Sequence, residues 1–260
     1  LVGSEMCIRD SKLIDIGALY NLLLYIFAEE AGKKINNVLT PKEVIGLVAE
    51  LIGDNKDNNS LCDPVSGSGT LLVEVGKRVG IRGANIFGQE ANWNQYALTK
   101  MNLMLNGFKD STFFWGDSLS NPKLTDDGGL KRFDIVASIP PFVDKWATEE
   151  AEFDRYGRFQ YGIPPRSQAT WAYISHILAS LKPNGRAVVV VPAGVLFRTS
   201  ESKIRHQIIE HNLLETVIEL PQNLFYGAAI STAILVFRKD RKTTPVSYTH
   251  LRAHETSAHL

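Results

Sequence analysis

Residues 61–72, LCDPVSGSGTLL, constrain the fold more than any other stretch of this 260-residue chain. A short apolar approach reaches Asp63, passes through small residues and enters a second apolar run. Gly67 and Gly69 have no Cβ, so the backbone there can turn sharply and come close to a ligand. With Ser68 between them, they read as the corner by which a parallel-sheet protein leaves its first strand for a helix. Asp63 offers an acceptor at the strand end, where open α/β sheets bind ligands. A Gly-Ser-Gly turn in isolation fits an ordinary strand-to-helix connection equally well, and the acids at later strand ends give it weight.

Residues 84–90 (ANIFGQE) read as a second strand ending in Glu90, about 20–30 residues on, where such folds place a ribose-binding carboxylate. A third acid, Asp117, comes after Phe113, Phe114, Trp115 and Gly116. Residues 133–138 (FDIVAS) form another apolar run, which stops at Ile139, Pro140, Pro141 and Phe142. Neither GxGxxG nor GxxxxGK[ST] occurs, which counts against the dinucleotide and P-loop readings.

In this order, the glycine turn, the two later acids and the Pro-Pro-Phe element resemble the S-adenosylmethionine-dependent DNA adenine-N6 methyltransferases. Among these the likeness is to the modification (methylase) subunit of type I restriction–modification systems, from about residue 16 to residue 239. The resemblance implies an α/β class I methyltransferase (Rossmann-like) fold, with a mostly parallel seven-stranded sheet and a reversed last strand. It also implies S-adenosyl-L-methionine as cofactor and methyl transfer to adenine N6 within a specific sequence of double-stranded DNA. A DNA-specificity subunit is the implied partner, with a restriction subunit left open. On the same basis Asp63, Gly67, Ser68, Gly69, Glu90 and Asp117 hold the cofactor. Glu90 accepts from the ribose hydroxyls and Asp117 from the adenine amine. Thr40 and Pro41 help to close over the methionine end. Positions Ile139, Pro140, Pro141 and Phe142 form the catalytic element that holds the extruded base.

Ile139 departs from the family pattern. The family has Asn or Asp there, whose side chain accepts one amine N–H while a proline carbonyl accepts the other. Pro140 can still lend its carbonyl and Phe142 can still stack on the base, but Ile139 accepts no hydrogen bond. Losing one positioned acceptor costs roughly 10²–10³ in rate, and an amine N–H left unpaired in the pocket adds about 1–3 kcal/mol against binding. Ser138 is adjacent, yet alternation along a strand points it to the opposite side. Weak or absent methylation is therefore the expectation. A natural non-catalytic homologue, a sequence error and a variant with another acceptor all remain open.

Composition narrows the partners. The chain carries 28 basic and 28 acidic residues, so no global charge draws it to nucleic acid, and DNA contact requires a local patch or another subunit. Two cysteines, Cys7 and Cys62, make no disulfide framework, and a reducing cytoplasm is the expected compartment. The apolar run at residues 19–27 is too short to span a membrane. Residues 1–11 and 245–260 resemble translated sequencing-adapter read-through and are set aside from fold reasoning. The natural protein is then expected to extend in both directions. His250, His254 and His259 fall in that tail and are assigned no metal.

The remaining chain divides into residues 12–39, the remnant of an N-terminal helical domain, and residues 40–244, the methyltransferase domain. Apolar spacing at Ile16, Leu19, Leu23, Ile26 and Phe27 predicts a helix over 13–31. Thr40 reads as an N-cap, with Pro41 at the first helical position and Glu43 at the third. After Phe142, a long loop to residue 167 mixes Trp146, Phe153, Tyr156, Phe159 and Tyr161 with Lys145, Arg155, Arg158 and Arg166. This mixture suits stacking on bases and pairing with phosphates, and equally a lid packing its own aromatics. Strands at 216–220 and 231–237, joined by a short link, predict an antiparallel pair. Rival functions are a cofactor- and DNA-binding homologue without catalysis, a methyltransferase of proteins or small molecules, and an adenosine-nucleotide binder of another class.

Overall fold

Residues 188–191 are valine at every position because their strand lies between two helical layers and is covered on both faces. The computed structural model describes residues 15–31, 40–53, 59–142, 145–225, 230–242 and 245–251. The helices are α1 (Ile16–Ala31), α2 (Lys42–Ile52), α3 (Thr70–Arg78), α4 (Trp93–Leu105), α5 (Glu149–Glu152), α6 (Thr170–Ala179) and α7 (Ser202–Glu210). The strands are β1 (Leu61–Asp63), β2 (Ile86–Glu90), β3 (Thr112–Trp115), β4 (Thr125–Asp126), β5 (Gly129–Leu130), β6 (Phe133–Ser138), β7 (Leu181–Pro192), β8 (Leu214–Glu219), β9 (Thr232–Arg238) and β10 (Ser247–His250).

The main sheet has the order β10-β8-β9-β7-β6-β1-β2-β3, and β4 and β5 make a separate small hairpin. β9 runs antiparallel to both β7 and β8, while the other pairs of the main sheet are parallel. Seven strands, the last of them reversed, form the expected sheet. The fully exposed β10 adds an eighth at the β8 edge. There His250 Nδ1 lies 2.7 Å from Glu219 Oε2, while Cys7, His254 and His259 lie outside the described residues.

Period-two alternation sorts the core into two layers. Ile135, Ala137, Val188, Val190, Ile234 and Val236 face α2 and α3. Val136, Ala187, Val189, Val191, Leu235 and Phe237 face α6 and α7. From β1 the chain winds outward through β2 and β3, and from β6 it winds the other way through β7. The order therefore reverses between β1 and β6, and open α/β sheets bind ligands in the crevice beyond the carboxyl ends at such a switch point.

One local expectation is corrected. Helix α2 starts at Lys42, with Pro41 in the N-cap position at ψ 141° and no side-chain cap from Thr40. Extended Pro41 sets the boundary one residue later, and the Thr40 carbonyl accepts from the Tyr25 hydroxyl at 3.0 Å. In α1, Ile16, Leu19, Leu23 and Ile26 face solvent, whereas Asn21 and Leu24 are buried. Asn21 reaches Glu74 of α3 at 3.3 Å and the Tyr20 hydroxyl reaches the Leu98 carbonyl of α4 at 3.2 Å. No helix among the described residues is long and apolar enough to cross a membrane.

Candidate functional site

The carboxyl ends of β1, β2, β3 and β6 converge on one cavity of about 340 Å³. Thr40, Asp63, Gly67 and Ser68 line one part of its wall, and Glu90 and Asp117 another. Ile139, Pro140, Pro141 and Phe142 complete it. Of the residues singled out from sequence, Pro41 and Gly69 are absent from the wall. Pro41 is buried at the start of α2, and Gly69 caps α3 behind the turn.

Hydrogen bonds back to the chain hold the turn. Asp63 Oδ1 accepts from the Val65 amide at 3.0 Å, and the Ser66 hydroxyl donates to the Asp63 carbonyl at 2.8 Å. Gly67 and Gly69 take φ values of 58° and 75°, the left-handed region that glycine enters without strain. At Gly69 a Cβ would sit 2.5 Å from Thr99 Cγ2, so the turn has no room for a side chain. Helix α4 supports it from behind: the Thr99 hydroxyl donates to the Gly67 carbonyl at 2.6 Å and Asn102 Nδ2 to the Ser68 carbonyl at 3.2 Å.

Glu90 ties two loops together, accepting from the Gly67 amide at 2.8 Å and the Asn92 amide at 2.8 Å. Burial raises its carboxyl above the ordinary range, and those backbone donors pull it partly back. Asp117 caps its own turn, accepting from the Leu119 amide and the Ser120 hydroxyl, both at 2.9 Å. Asp63 is 2% exposed, and its carboxyl is pushed up to about 7. Burial is the main cause, opposed by bonds from Ser138 and Val65 and reinforced by the Glu90 charge. Three carboxyl groups face the cavity, and among the described residues no Lys, Arg or His lines it. Such a wall favours a neutral or cationic ligand over a phosphate.

At the other end, Ile139 packs on the core formed with α2 and α3. The Ser138 hydroxyl is committed to Asp63 Oδ1 at 2.7 Å, as strand alternation anticipates. Phe142 meets Phe225 edge-on, with ring centroids 5.1 Å apart.

Residues 12–258 match the family model described as N-6 DNA Methylase. The chain belongs to the N-6 DNA methylase family. It is 31% identical over 282 residues to the type I restriction enzyme MpnII methylase subunit of Mycoplasma pneumoniae, covering 95% of this chain and 52% of that protein. To the MjaVII methylase subunit of Methanocaldococcus jannaschii it is 32% identical over 253 residues, covering 92% and 42%. A crystal structure of the type I restriction-modification system methyltransferase subunit from Streptococcus thermophilus superposes with a TM-score of 0.79 and 32% identity, over 86% of this chain and 49% of that one. The fold is that of the class I methyltransferases. The chain spans about half the length of the curated relatives it matches.

Several residues of the candidate site in this N-6 DNA methylase family member were not marked by any motif. Asn92 caps α4 through bonds to the Asn94 and Gln95 amides, and it stands beside Glu90 on the cavity wall. An Asn just before a helical run was the available signal. Tyr173 and Phe225 also line the cavity, and nothing local marks either one. The mixed loop after Phe142 divides in two. Trp146 is buried against Phe159, ring centroids 5.0 Å apart, and Arg158 is buried with Asp154. Trp146 and Arg158 thus follow the lid reading, while Lys145, Phe153, Arg155 and Arg166 remain on the surface.

Proposed function

We propose that this chain is the catalytic region of a DNA adenine-N6 methyltransferase, the modification subunit of a type I restriction–modification system. The observation that carries the reading is the cavity with three acids at the β1/β6 switch point, lined by no cation among the described residues and opening directly onto Pro140 and Phe142. Residues 40–244 make the methyltransferase domain, and residues 12–39, which carry α1, are the remnant of an N-terminal helical domain, in a cytoplasmic protein. Double-stranded DNA is the substrate. A DNA-specificity subunit supplies sequence recognition, since the net charge of zero provides no general attraction.

The residues present fit S-adenosylmethionine, a ligand with a cationic sulfonium and ammonium and a neutral adenosine. When bound, it supplies an electrophilic methyl group. Glu90 keeps lone pairs for the ribose hydroxyls beyond its two backbone bonds. Asp117 takes the adenine amine, and Asp63 lies at the positive end beside the glycine turn. Thr40 closes the wall over the same end. Pro140 accepts one N–H of the extruded target base through its carbonyl, and Phe142 stacks on the ring. Position 139, where a second acceptor belongs, offers only carbon. That observation favours one alternative, a homologue that binds cofactor and DNA with little or no turnover.

Titration calorimetry with S-adenosylhomocysteine, together with transfer of a tritiated methyl group to DNA, protein and small molecules, tests the reading. Glu90→Gln places an amide against two backbone N–H donors and is expected to weaken S-adenosylhomocysteine binding about 10–100-fold. Unchanged affinity would remove Glu90 from the adenosyl site.

The Asp63 shift sets a pH dependence. A cationic ligand favours the carboxylate, so below about pH 7 binding must release the proton that burial holds there. Affinity for S-adenosylmethionine is expected to rise by up to about tenfold per unit between about pH 6 and 7, then level off. The ligand-free fold responds in the opposite sense. With the folded pKa above the ordinary 3.8, stability falls as pH rises from about 4 toward 7. Asp63→Asn should flatten both profiles; a pH-independent affinity in the parent chain would contradict the assignment.

A further inference from the structure

Arg158 looks like a phosphate ligand in the sequence and is 4% exposed in the structure. Its Nε donates to Asp154 Oδ1 at 2.7 Å, and its own amide donates to Asp154 Oδ2 at 2.6 Å. The Asp154 side chain is itself only 3% exposed. Nη1 lies 2.9 Å from the Leu119 carbonyl and 3.2 Å from the Ser118 carbonyl, with His176 Nδ1 3.4 Å away. Burial, with the guanidinium charge beside it, depresses His176 to about 3, so its ring is neutral. Ser118 in turn bonds to the Pro64 carbonyl of the first turn. One guanidinium therefore joins the loop that follows Phe142 to the turn carrying Asp117.

We propose that Arg158 is a positioning residue: it clamps residues 117–120 so that the Asp117 carboxylate faces the adenosyl cavity, making the base-side loop part of the cofactor-side wall. Asp117 stands on a short turn outside β3, and among the described residues its carboxylate is bonded to that turn's own groups. The two carbonyls held by Arg158 belong to the residues directly after it, so the clamp sets where the turn sits. A planar guanidinium can face the Asp154 carboxylate and these carbonyls at once. An ammonium, a point charge on a flexible stem, cannot hold that geometry. This inference rests on the cofactor reading and adds to it a residue outside the cavity.

The test is a pair of double-mutant cycles read by S-adenosylhomocysteine affinity on the full chain. Arg158→Lys keeps a cation for Asp154 and is expected to unfold cooperatively. It should bind about tenfold more weakly, the equivalent of one charged hydrogen bond. Combined with Asp117→Asn it should cause no loss beyond the larger single effect, because both act on one contact. Combined with Glu90→Gln the losses should multiply, because the ribose contact is separate. General loosening of the fold would treat the two cycles alike. Asp154→Asn leaves Arg158 in place but removes the group that orients it, so it gives a second cycle of the same sense if the lysine variant fails to fold. Affinities within about twofold of the parent, or losses that multiply with Asp117→Asn, would overturn the clamp. A parent chain that binds no S-adenosylhomocysteine would overturn the cofactor reading and this inference together.

Discussion

Ile139→Asn is expected to raise methyl transfer to DNA by about 10²–10³-fold over the chain as it stands, with S-adenosylhomocysteine affinity unchanged. The adenine amine is a poor nucleophile because its lone pair is delocalised into the ring. Two acceptors that take both N–H groups draw the nitrogen toward a tetrahedral form and free that lone pair. Ile139 and Pro140 both line the cavity; on the proposed reading Pro140 lends one carbonyl and residue 139 is the neighbour placed to bring the other. Ser138 cannot replace it, because its hydroxyl is bonded to Asp63 on the far side of the strand end. Asn is smaller than Ile and polar, but position 139 is only half-buried, so the change should be tolerated. Robust methylation by the parent chain, with no gain from Asn, would mean that another group supplies the missing acceptor. The specificity partner should be present in both assays, so that a lack of DNA contact is not mistaken for a lack of chemistry.

The second large effect is expected at Gly69. Gly69→Ala combines two costs, and a companion mutation separates them. A residue with a Cβ at φ 75° loses about 1–2 kcal/mol to the left-handed backbone. The clash of that Cβ with Thr99 Cγ2 adds about 1–3 kcal/mol of overpacking. Together they give a loss of about 2–5 kcal/mol in urea unfolding, a sizeable part of the stability of a domain this size. Thr99→Ser removes Cγ2 and keeps the hydroxyl that bonds the Gly67 carbonyl. In the double variant the closest clash should be relieved while the backbone cost and the tight approach to Cβ and Cα of residue 99 stay, recovering part of the overpacking cost of about 1–3 kcal/mol. Adenosyl affinity should fall with Gly69→Ala and return partly with Thr99→Ser, since the displaced turn carries Gly67 and Ser68 on the cavity wall. An alanine variant as stable as the parent would show that the turn relaxes freely and that the corner is not rigid.

The sequence by itself determined the features that short-range physics controls. The β1 turn was legible because only glycine enters left-handed φ without strain, and Gly67 and Gly69 stand where it does. The unbroken apolar run at residues 187–191 marked a central strand covered on both faces, and the order of Asp63, Glu90 and Asp117 at successive strand ends placed all three on one sheet edge. Only the tertiary structure decided the rest. Thr40 looked like a helix cap by its neighbours, yet extended Pro41 takes the cap position and the Thr40 carbonyl is held by the Tyr25 hydroxyl. Arg158 fitted a phosphate ligand and a lid residue equally well by its neighbours, and its burial depends on Asp154, on two carbonyls some 40 positions earlier and on His176 of α6. Tyr173, Phe225, Thr99 and Asn102 reach the site for the same reason: chain folding brings them there, and their immediate neighbours carry no mark of it. A backbone conformation is chosen by the residue that adopts it. A buried polar contact is chosen by two distant residues that must both give up water, so neither one's local sequence records the pairing.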